Sequence, residues 1–437
     1  MTILDAPPRP DIARCPLAEI NPFDPAILVD PYAYFDRLRA EAPVFRDPKT
    51  GIVHVSTYDL IREVNAQPRR FSNDFGAQIR SGAGPMDPDE LAVMSQGLAP
   101  ANTLLTADPP VHTRFRKLVA KAFAMKRVEG MADGIARIVT DLLDEIAPRG
   151  FPGRRAAEFK TAFADRVPMT VIADALGVPR EHMGEFKSWS DGFIVQLGGV
   201  SDKPTRLDAG RKIVAFQRYF LEKIEEKRAN PTEDIISDLV HVDLAEEGDH
   251  RTMTPEELIS IFQQLLVAGN ETTAHALAAG LYYLIRHPEQ QAALRADPGL
   301  VDGFVEETLR FLSPTNNMWR VALEDTEVGG VTIAKGALVL LRYGSGNRDD
   351  AHFPGADQFN MTRENARDHL AFGAGIHTCI AAPLARKELQ IAFPLLLERM
   401  TDIRLEDEDI AYAPNVLLRG VAHLNVSYAA TRTSTSE

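Results

Sequence analysis

A glycine-rich segment that ends in a cysteine carries the strongest chemical signal in the chain. It reads His369-Leu-Ala-Phe-Gly-Ala-Gly-Ile-His-Thr-Cys379. Gly373 and Gly375 can adopt positive φ in a tight turn and leave little side-chain bulk around the sulfur. The dipole of a helix that is predicted to start near Ala381 would favour a thiolate. A lone cysteine in such a turn is more often a buried structural residue, but the arrangement also suits a thiolate that approaches a flat macrocycle.

The other common cysteine and glycine motifs are absent from the sequence. The second cysteine, Cys15, lies in a proline-rich leader, where we expect a surface thiol and no disulfide in a reducing cytoplasm. The chain has no Cys-x-x-Cys and no His-Glu-x-x-His, which excludes the usual zinc motifs. Gly373-Ala-Gly375 is followed by His377 and Cys379, which is the wrong context for a flavin or nicotinamide loop.

A second polar group interrupts a long apolar helix, where the chain reads Ala268-Gly-Asn-Glu-Thr-Thr273. Glycine and adjacent hydroxyls are unfavourable inside a helix, so they indicate a special role. If the Thr272 hydroxyl bonds to the carbonyl of Ala268, the helix opens into a small groove. The simpler alternative is an ordinary buried helix whose polar residues face neighbouring structure.

A run of basic residues stands out in an acidic chain. Six lie between positions 112 and 127, with no acidic residue among them, although the formal net charge of the protein is -14. They are Arg114, Arg116, Lys117, Lys121, Lys126 and Arg127. A solvated helix face explains such a run about as well as a docking surface does. The overall acidity argues against nucleic-acid binding.

The elements that must position these residues are mostly helical, above all between residues 110 and 313. The clearest helix starts at Thr254, with Pro255 at its first position and Glu257 completing a capping box, and it runs to Leu284. Its middle is apolar on most faces, so we expect it to be central and buried. Another helix is expected over 380–398.

Short β segments are predicted on both sides of the helical region. They are a hairpin of Val44–Phe45 with Ile52–Val55, strands at Arg320–Leu323, Val331–Ile333 and Ala337–Arg342, and further β structure over 402–428. The stretch 75–103 has no clear period and is predicted to be a long irregular excursion.

The composition fits one large domain over residues 1–437, mainly α with a smaller β portion. Hydrophobic residues make up 45% of the 437, and neither a repeat nor a flexible linker is visible. Residues 1–25 are expected to form an extended leader and residues 430–437 a frayed tail. Since no apolar run resembles a signal sequence or a membrane span, a cytoplasmic monomer is expected.

The cysteine segment resembles the haem-binding loop of the cytochrome P450 family, Phe-x-x-Gly-x-His-x-Cys-x-Gly followed by Leu-Ala-Arg. The matching residues are Phe372, Gly375, His377, Cys379, Leu384, Ala385 and Arg386, with Glu388 in the usual place. Ala381 replaces the usual glycine, and its methyl would press toward the haem or shift the helix start. The resemblance implies the single-domain P450 fold, with haem b between the long central helix and the cysteine-loop helix and Cys379 as iron ligand.

The resemblance extends to a charge pair and to the haem propionates. Glu307 and Arg310 lie three apart, which alone is typical of a solvated helix pair, but their position matches the family's Glu-x-x-Arg helix. In the family the pair is buried and joined by an arginine, here Arg363, and Asn360 replaces a frequent aspartate. The resemblance assigns the propionate partners to His112, Arg116, Arg320 and His377.

The polar group on the central helix resembles the family's acid–alcohol pair. By that resemblance Thr272 would hold dioxygen and its water, and Glu271 would relay protons. Ala268 and Gly269, like Phe372, Gly373 and Ala381 of the loop, would then lie against the haem. The pair argues against two alternatives, a peroxide-dependent enzyme, which typically lacks it, and a non-oxidative isomerase or dehydratase that uses the same haem. A haem sensor without turnover would need neither the pair nor a basic docking face.

Electrons, substrate and partners follow from the same resemblance. The basic run would receive an acidic ferredoxin with its separate reductase, and no flavin or nicotinamide is expected on this chain. The pocket positions are Leu104, Leu105, Phe193, Val267, Ala268, Thr272, Asn316, Asn317, Val416 and Leu417. The two asparagines could equally serve the backbone of a turn. The function implied is a haem-thiolate monooxygenase that inserts one oxygen atom of O2 into a hydrophobic terpenoid, steroid-like or aromatic molecule.

Overall fold

The computed structural model describes residues 12, 14–76, 86–198, 201–242, 252–407 and 410–430, with side chains at 197 and 198 excluded. Residues 1–11 and 13 of the predicted leader, residues 77–85 of the predicted irregular excursion and residues 431–437 of the predicted tail lie outside the described residues. The described chain is dominated by helices with a smaller β portion, as the sequence predicts.

The long central helix begins where its capping box predicts. It spans Pro255–Arg286, and the Thr254 N–H donates to Glu257 Oε2 at 2.8 Å while the Glu257 N–H donates to Thr254 Oγ1 at 3.3 Å. The other helices are Pro25–Val29, Tyr32–Glu41, Tyr58–Asn65, Pro88–Met94, Val111–Ala120, Met125–Ile146, Arg166–Leu176, Met183–Gly198, Lys203–Ala229, Ile235–Val240, Pro288–Ala296, Val301–Leu312, Tyr343–Gly346 and Ala382–Arg399.

The strands form three small sheets among the described residues. They are β1 Val44–Arg46, β2 Val53–Val55, β3 Phe71–Ser72, β4 Arg154–Glu158, β5 Met318–Ala322, β6 Thr326–Val328, β7 Val331–Ile333, β8 Leu338–Leu341, β9 Met400–Leu405 and β10 Asn425–Ala430. The orders are β1-β2-β8-β5-β3, β4-β10-β9 and β6-β7. The predicted hairpin is confirmed, because β1 and β2 pair antiparallel with Val44 opposite Val55.

Two elements differ from the predictions. The irregular stretch contains the helix Pro88–Met94, whose start is capped by Asp87. The region predicted to be overwhelmingly helical also contains β4, which pairs antiparallel with β10 so that Glu158 lies opposite Asn425. The first three residues of β4 are exposed and the last two are half-buried, so the segment has no apolar alternation and becomes a strand only through its distant partner.

The chain divides into two compact units. The first unit comprises Met1–Phe71, Ala132–Val167 and Thr272–Glu437, and the second comprises Ser72–Met131 and Pro168–Glu271. A core of the first unit packs β-strand residues such as Val53, Val55 and Val339 against Ile61. The second unit has an aromatic core in which the ring centroids of Phe216 and Phe220 lie 4.5 Å apart. No helix in the described parts of either unit is long and apolar enough to cross a membrane.

Candidate active site

The cysteine segment of the first unit forms a tight turn that only glycine permits. Gly373 and Gly375 have φ of 68° and 72°. A Cβ at Gly375 would lie 2.3 Å from the carbonyl oxygen of Asn65, so no other residue fits there without a shift. The Cys379 N–H donates to the carbonyl of Phe372 at 2.8 Å and closes the turn.

Cys379 lies just before the helix Ala382–Arg399 and is half-buried. Ala381 is the residue that precedes the first turn of this helix, with φ of -93° and no side-chain cap. The helix therefore starts where the sequence predicts, and its N-terminal dipole favours a negative charge on the sulfur. Cys379 and Cys15 do not form a disulfide.

Arg320 lies buried behind the same turn. Arg320 is 3% exposed, and its guanidinium donates to the side-chain oxygen of Asn65 and to the carbonyl of Trp319. Asn65 therefore contacts both Arg320 and Gly375, a connection that no local sequence pattern indicates. No carboxylate of the described chain pairs with Arg320, and a buried guanidinium without an anion fits a bound ligand that carries one.

Two of the predicted propionate partners share one face of the helix Val111–Ala120 in the second unit. His112 is 3% exposed, and Arg116, one turn later, is half-buried. Burial, reinforced by the charge of Arg116, lowers the pKa of His112, so its imidazole is neutral near pH 7 and can donate one hydrogen bond. The Asp108 carboxylate accepts from the Asn73 N–H at 2.9 Å and fixes the segment before this helix. In the first unit, His377 ends the short 3-10 turn Gly375–His377.

The Glu307–Arg310 pair is fully buried and not a solvated helix pair. Both side chains are 0% exposed, and Arg310 donates two hydrogen bonds to the carboxylate, at 2.7 and 2.8 Å. Arg363 donates to the same carboxylate at 3.1 Å and to the carbonyl of Pro354 at 2.8 Å. The Asn360 N–H adds a bond at 2.8 Å. The network fixes the irregular segment before the cysteine loop.

A second buried network, which the sequence analysis missed, surrounds Glu306. Its carboxylate accepts from Arg386 at 2.6 and 3.0 Å and lies 3.2 Å from His369 Nε2. Burial alone would raise the pKa of Glu306, but the hydrogen bonds from His369 and Arg386 outweigh it and lower the pKa to about 2. Because Arg386 also lies 4.6 Å over the Phe372 ring, this network joins both ends of the cysteine loop to the helix Val301–Leu312.

The polar group of the central helix lies in unbroken α-helix. Glu271 and Thr272 are half-buried. Asn270 is 2% exposed and donates to Ser190 Oγ at 2.7 Å. A Cβ at Gly269 would lie 3.3 Å from Ile172 Cγ1, so the small residue allows the helix Arg166–Leu176 to approach closely.

The predicted pocket residues of the first unit lie together. The N–H groups of Asn316 and Asn317 both donate to the carbonyl of Leu417, at 2.8 and 3.1 Å. The Asn317 amide donates to the carbonyl of Val416 at 2.6 Å and accepts from Arg342 at 3.3 Å. Asn317 therefore serves the backbone of the 415–418 turn, whereas the buried Asn316 Oδ1 has no hydrogen-bond partner among the described residues.

The predicted pocket residues of the second unit differ in burial. The Phe193 ring is buried edge-on against Phe216, with ring centroids 5.0 Å apart, and Val267 is 9% exposed. Leu104 is half-buried, whereas Leu105 is 37% exposed and its N–H donates to Gln264.

Two of the six basic residues of this run have acidic partners in the structure, so the run carries less net positive charge than the sequence alone indicates. Arg127 is ion-paired with Asp238 and Arg114 with Glu257. Lys117, Lys121 and Lys126 are exposed, and Lys126 follows Met125, which is 60% exposed. Arg386, which lies outside this run, forms an ion pair with Glu306 and therefore contributes little net positive charge to the surface.

The chain belongs to the cytochrome P450 family. Residues 87–411 match the family model described as Cytochrome P450. The chain is similar to the cytochrome P450 monooxygenase PikC of Streptomyces venezuelae, with 37% identity over 95% of each chain. It is 34% identical to a steroid C26-monooxygenase of Mycobacterium tuberculosis, over 85% of this chain and 92% of the relative.

Solved structures show the same fold. Cytochrome P450 CYP109Q5 of Chondromyces apiculatus superposes with a TM-score of 0.82 and 34% identity, over 96% of this chain and all of that one. CYP109E1 of Bacillus megaterium, in complex with testosterone, superposes with a TM-score of 0.77 and 30% identity, over 92% of this chain and 98% of that one. The protein is therefore a P450 monooxygenase, an oxidoreductase that uses haem, O2, a small-molecule substrate and a redox partner.

Proposed function

We propose that this protein hydroxylates a hydrophobic small molecule of terpenoid, steroid-like or aromatic type, with haem b held by Cys379 and electrons from a ferredoxin. The observation that carries the proposal is the cysteine turn. The Asn65 carbonyl leaves room only for glycine at position 375, the sulfur lies at a helix start, and no carboxylate of the described residues pairs with the buried Arg320. Once bound, the haem supplies oxygen activation through its thiolate-ligated iron.

The residues of the chain hold the cofactor from several positions. Cys379 would provide the iron ligand, and Phe372, Gly373 and Ala381 would lie against the haem. Arg320, His112, Arg116 and His377 would donate hydrogen bonds to the propionates. The neutral His112 provides one donor without adding a second charge beside Arg116.

Protons are delivered from the central helix. The Thr272 hydroxyl holds a water by hydrogen bonding, and the Glu271 carboxyl exchanges protons with that water and with solvent. Ala268 is small and leaves this part of the helix accessible, whereas Gly269 packs against Ile172. Glu271 and Thr272 are both half-buried, so their side chains can contact solvent as well as the protein interior.

The pocket residues and one steroid-acting relative support this substrate class. Leu104, Leu105, Phe193, Val267, Val416 and Leu417 are apolar, and apolar pockets with few polar anchors bind hydrophobic ligands. One relative is a steroid C26-monooxygenase and another a 6-deoxyerythronolide B hydroxylase. Asn316 is the better polar anchor, because the Asn317 amide is already used by the backbone.

The redox partner is an acidic ferredoxin that docks on Lys117, Lys121 and Lys126 and is reduced by a separate reductase. Positive charge on one face of a chain of net charge -14 would orient an acidic partner there. We further propose that residues 1–437 act as one domain, as a monomer in the cytoplasm, without bound flavin or nicotinamide.

The reduced, CO-treated protein tests the thiolate assignment. We expect the Soret band typical of thiolate-ligated haem in the wild type and its loss in Cys379→Ser, with Cys15→Ser as the matched control that keeps it. Circular dichroism and total haem content would show whether each variant folds. A wild-type protein without this band, or a Cys379→Ser variant that keeps it, would overturn the assignment.

A further inference from the structure

The aromatic ring of Phe372, in the cysteine loop, has two polar neighbours. The guanidinium carbon of Arg386 lies 4.6 Å from the ring centroid, and the His369 ring lies 5.4 Å from it at an angle of 49°. The face of the aromatic ring attracts the arginine charge. Since Phe372 is one of the residues that we propose to lie against the haem, both neighbours act on a residue beside the cofactor.

One buried carboxylate holds both neighbours in place. Glu306 accepts from Arg386 Nε at 2.6 Å and from Nη2 of the same guanidinium at 3.0 Å, a two-pronged pair of fixed geometry. His369 Nδ1 accepts from the Ala371 N–H at 3.2 Å, so the ring hydrogen lies on Nε2, which is 3.2 Å from Glu306 Oε2. The Glu306 side chain is 3% exposed. We call Glu306, Arg386 and His369 the Glu306 clamp.

The Glu306 clamp also restrains the backbone beside the sulfur. The carbonyl of Phe372 accepts from the Cys379 N–H at 2.8 Å, and Phe372 is the last residue of the 3-10 turn Leu370–Phe372. A shift of the Phe372 ring would therefore move the carbonyl that is bonded to the cysteine. The N–H groups of the loop can bond to a thiolate only if the loop keeps its shape.

Charge and hydrogen bonding at the Glu306 clamp act on the haem iron in the same direction. A fixed cation near the iron favours the reduced state, which carries one more electron. Loop N–H groups that point at a thiolate withdraw charge from the sulfur and also favour the reduced state. The Arg386 side chain is 27% exposed, so without Glu306 it would turn toward water, where its charge has little effect. Loss of the clamp should therefore lower the reduction potential by both routes.

We propose that Glu306 is a positioning residue for electron uptake: through the other two members of the clamp it fixes Phe372 and the cysteine turn, and thereby raises the reduction potential of the haem iron. This role rests on the proposed function, because it requires haem on Cys379. It gives the buried network a part in electron uptake besides the stabilisation of the loop.

Arg386→Gln tests the role of the cation. In a potentiometric titration of the haem-loaded variant, the equilibrium constant for reduction should fall at least about threefold, or about 28 mV for one electron. Arg367→Gln is the matched control. Arg367 lies 3.8 Å from the same carboxylate and is 69% exposed, and among the described residues the cation over the Phe372 ring is Arg386. The control should stay within about threefold of the wild type.

Glu306→Asp tests the positioning without a change of charge. The side chain is shorter by one methylene group, so its carboxylate cannot contact both partners at their present distances. The equilibrium constant for reduction should again fall at least about threefold. The C–O stretching frequency of the reduced, CO-bound protein is a second readout. It should fall in Arg386→Gln and Glu306→Asp, because a sulfur with weaker N–H bonds donates more electron density through iron to CO.

Circular dichroism and the thiolate Soret band first establish that each variant is folded and holds haem. Among such variants, a fall of less than about threefold or a rise in either Arg386→Gln or Glu306→Asp would overturn the proposed role of Glu306. An equal fall in Arg367→Gln would overturn it as well. A wild-type protein without the thiolate Soret band would instead overturn the proposed function.

Discussion

At the scale of single residues, the proposed chemistry depends on a few side chains whose surroundings decide what they can do. Cys379 combines a helix N-terminus with a turn that excludes side chains, and both favour an accessible thiolate. Arg320 is buried, and no anionic side chain in the described part of the protein pairs with it. Thr272 and Glu271 remain half-buried, so each can contact water.

Thr272→Ala should uncouple electron consumption from product formation. Without the hydroxyl, a positioned water is lost, and the rate of product formation should fall by about 10²-fold, at the lower end for positioned proton transfer. Peroxide release should rise correspondingly. The measurement is product and peroxide per NAD(P)H consumed, with Thr273→Ala as the neighbouring control. Unchanged coupling in Thr272→Ala would contradict the proposed role.

At the scale of elements, two buried carboxylates connect the helix Val301–Leu312 to the segments around the cysteine. Glu307 joins it to Arg363 in the preceding segment, and Glu306 joins it to Arg386 in the following helix. The two carboxylates are sequence neighbours but serve opposite ends of the loop. The rigid helix Val301–Leu312 therefore fixes the irregular cysteine loop through these two buried ion-pair networks.

Glu307→Gln should lower the free energy of unfolding by about 3–5 kcal/mol, because it leaves Arg310 buried without its counter-charge. Arg149→Gln is the matched control. It breaks the Arg149–Glu398 pair, whose side chains are 60% and 52% exposed, and should cost no more than about 1 kcal/mol. Urea unfolding of both variants gives the comparison. Similar losses in the two would argue against a structural role for the buried network.

The Glu306 network should make stability sensitive to acid. The folded-state pKa of Glu306 is lowered from 4.5 to about 2, so its stabilisation is fully present above pH 4.5 and is lost as the pH falls from 4.5 through 2. The shift corresponds to on the order of 3 kcal/mol, of which roughly 1 kcal/mol is gone by pH 3.5.

Glu306→Gln isolates this contribution from the other titrating groups. The stability difference between wild type and Glu306→Gln should be largest near pH 7 and should shrink by roughly 1 kcal/mol at pH 3.5. Chemical unfolding at several pH values measures it. A difference that stays constant down to pH 3.5 would show that the carboxylate is not held ionised by His369 and Arg386.

At the scale of the whole molecule, charge is distributed unevenly. The chain carries a net charge of -14, yet Lys117, Lys121 and Lys126 are exposed within a short segment. Long-range attraction between such a face and an acidic ferredoxin raises the association rate more than the final affinity.

Lys121→Glu with Lys126→Glu should slow reduction by an acidic ferredoxin by about tenfold at low ionic strength, and the difference should fade as salt is added. Lys49→Glu with Lys335→Glu changes the net charge equally at exposed positions elsewhere and serves as the control. Stopped-flow reduction under CO gives the rates. Equal slowing in both double variants would indicate a general charge effect and not a docking face.

The sequence by itself determined the features that depend on near neighbours. The glycines at 373 and 375, the cysteine before a helix and the capping box at Thr254 each act within a few residues. Their conformations are set by local sterics and by short-range hydrogen bonds. The mainly helical character and the β1–β2 hairpin were predictable for the same reason.

Only the tertiary structure decided which distant groups meet. The spacing of Glu307 and Arg310 is the same for a solvated and a buried pair, and burial against residues 347–363 selects the second. Likewise β4 becomes a strand because β10 lies beside it, and the Asn317 amide is used because Val416 approaches it. The physical reason is that burial and pairing depend on partners far away in the chain, and local patterns do not identify those partners.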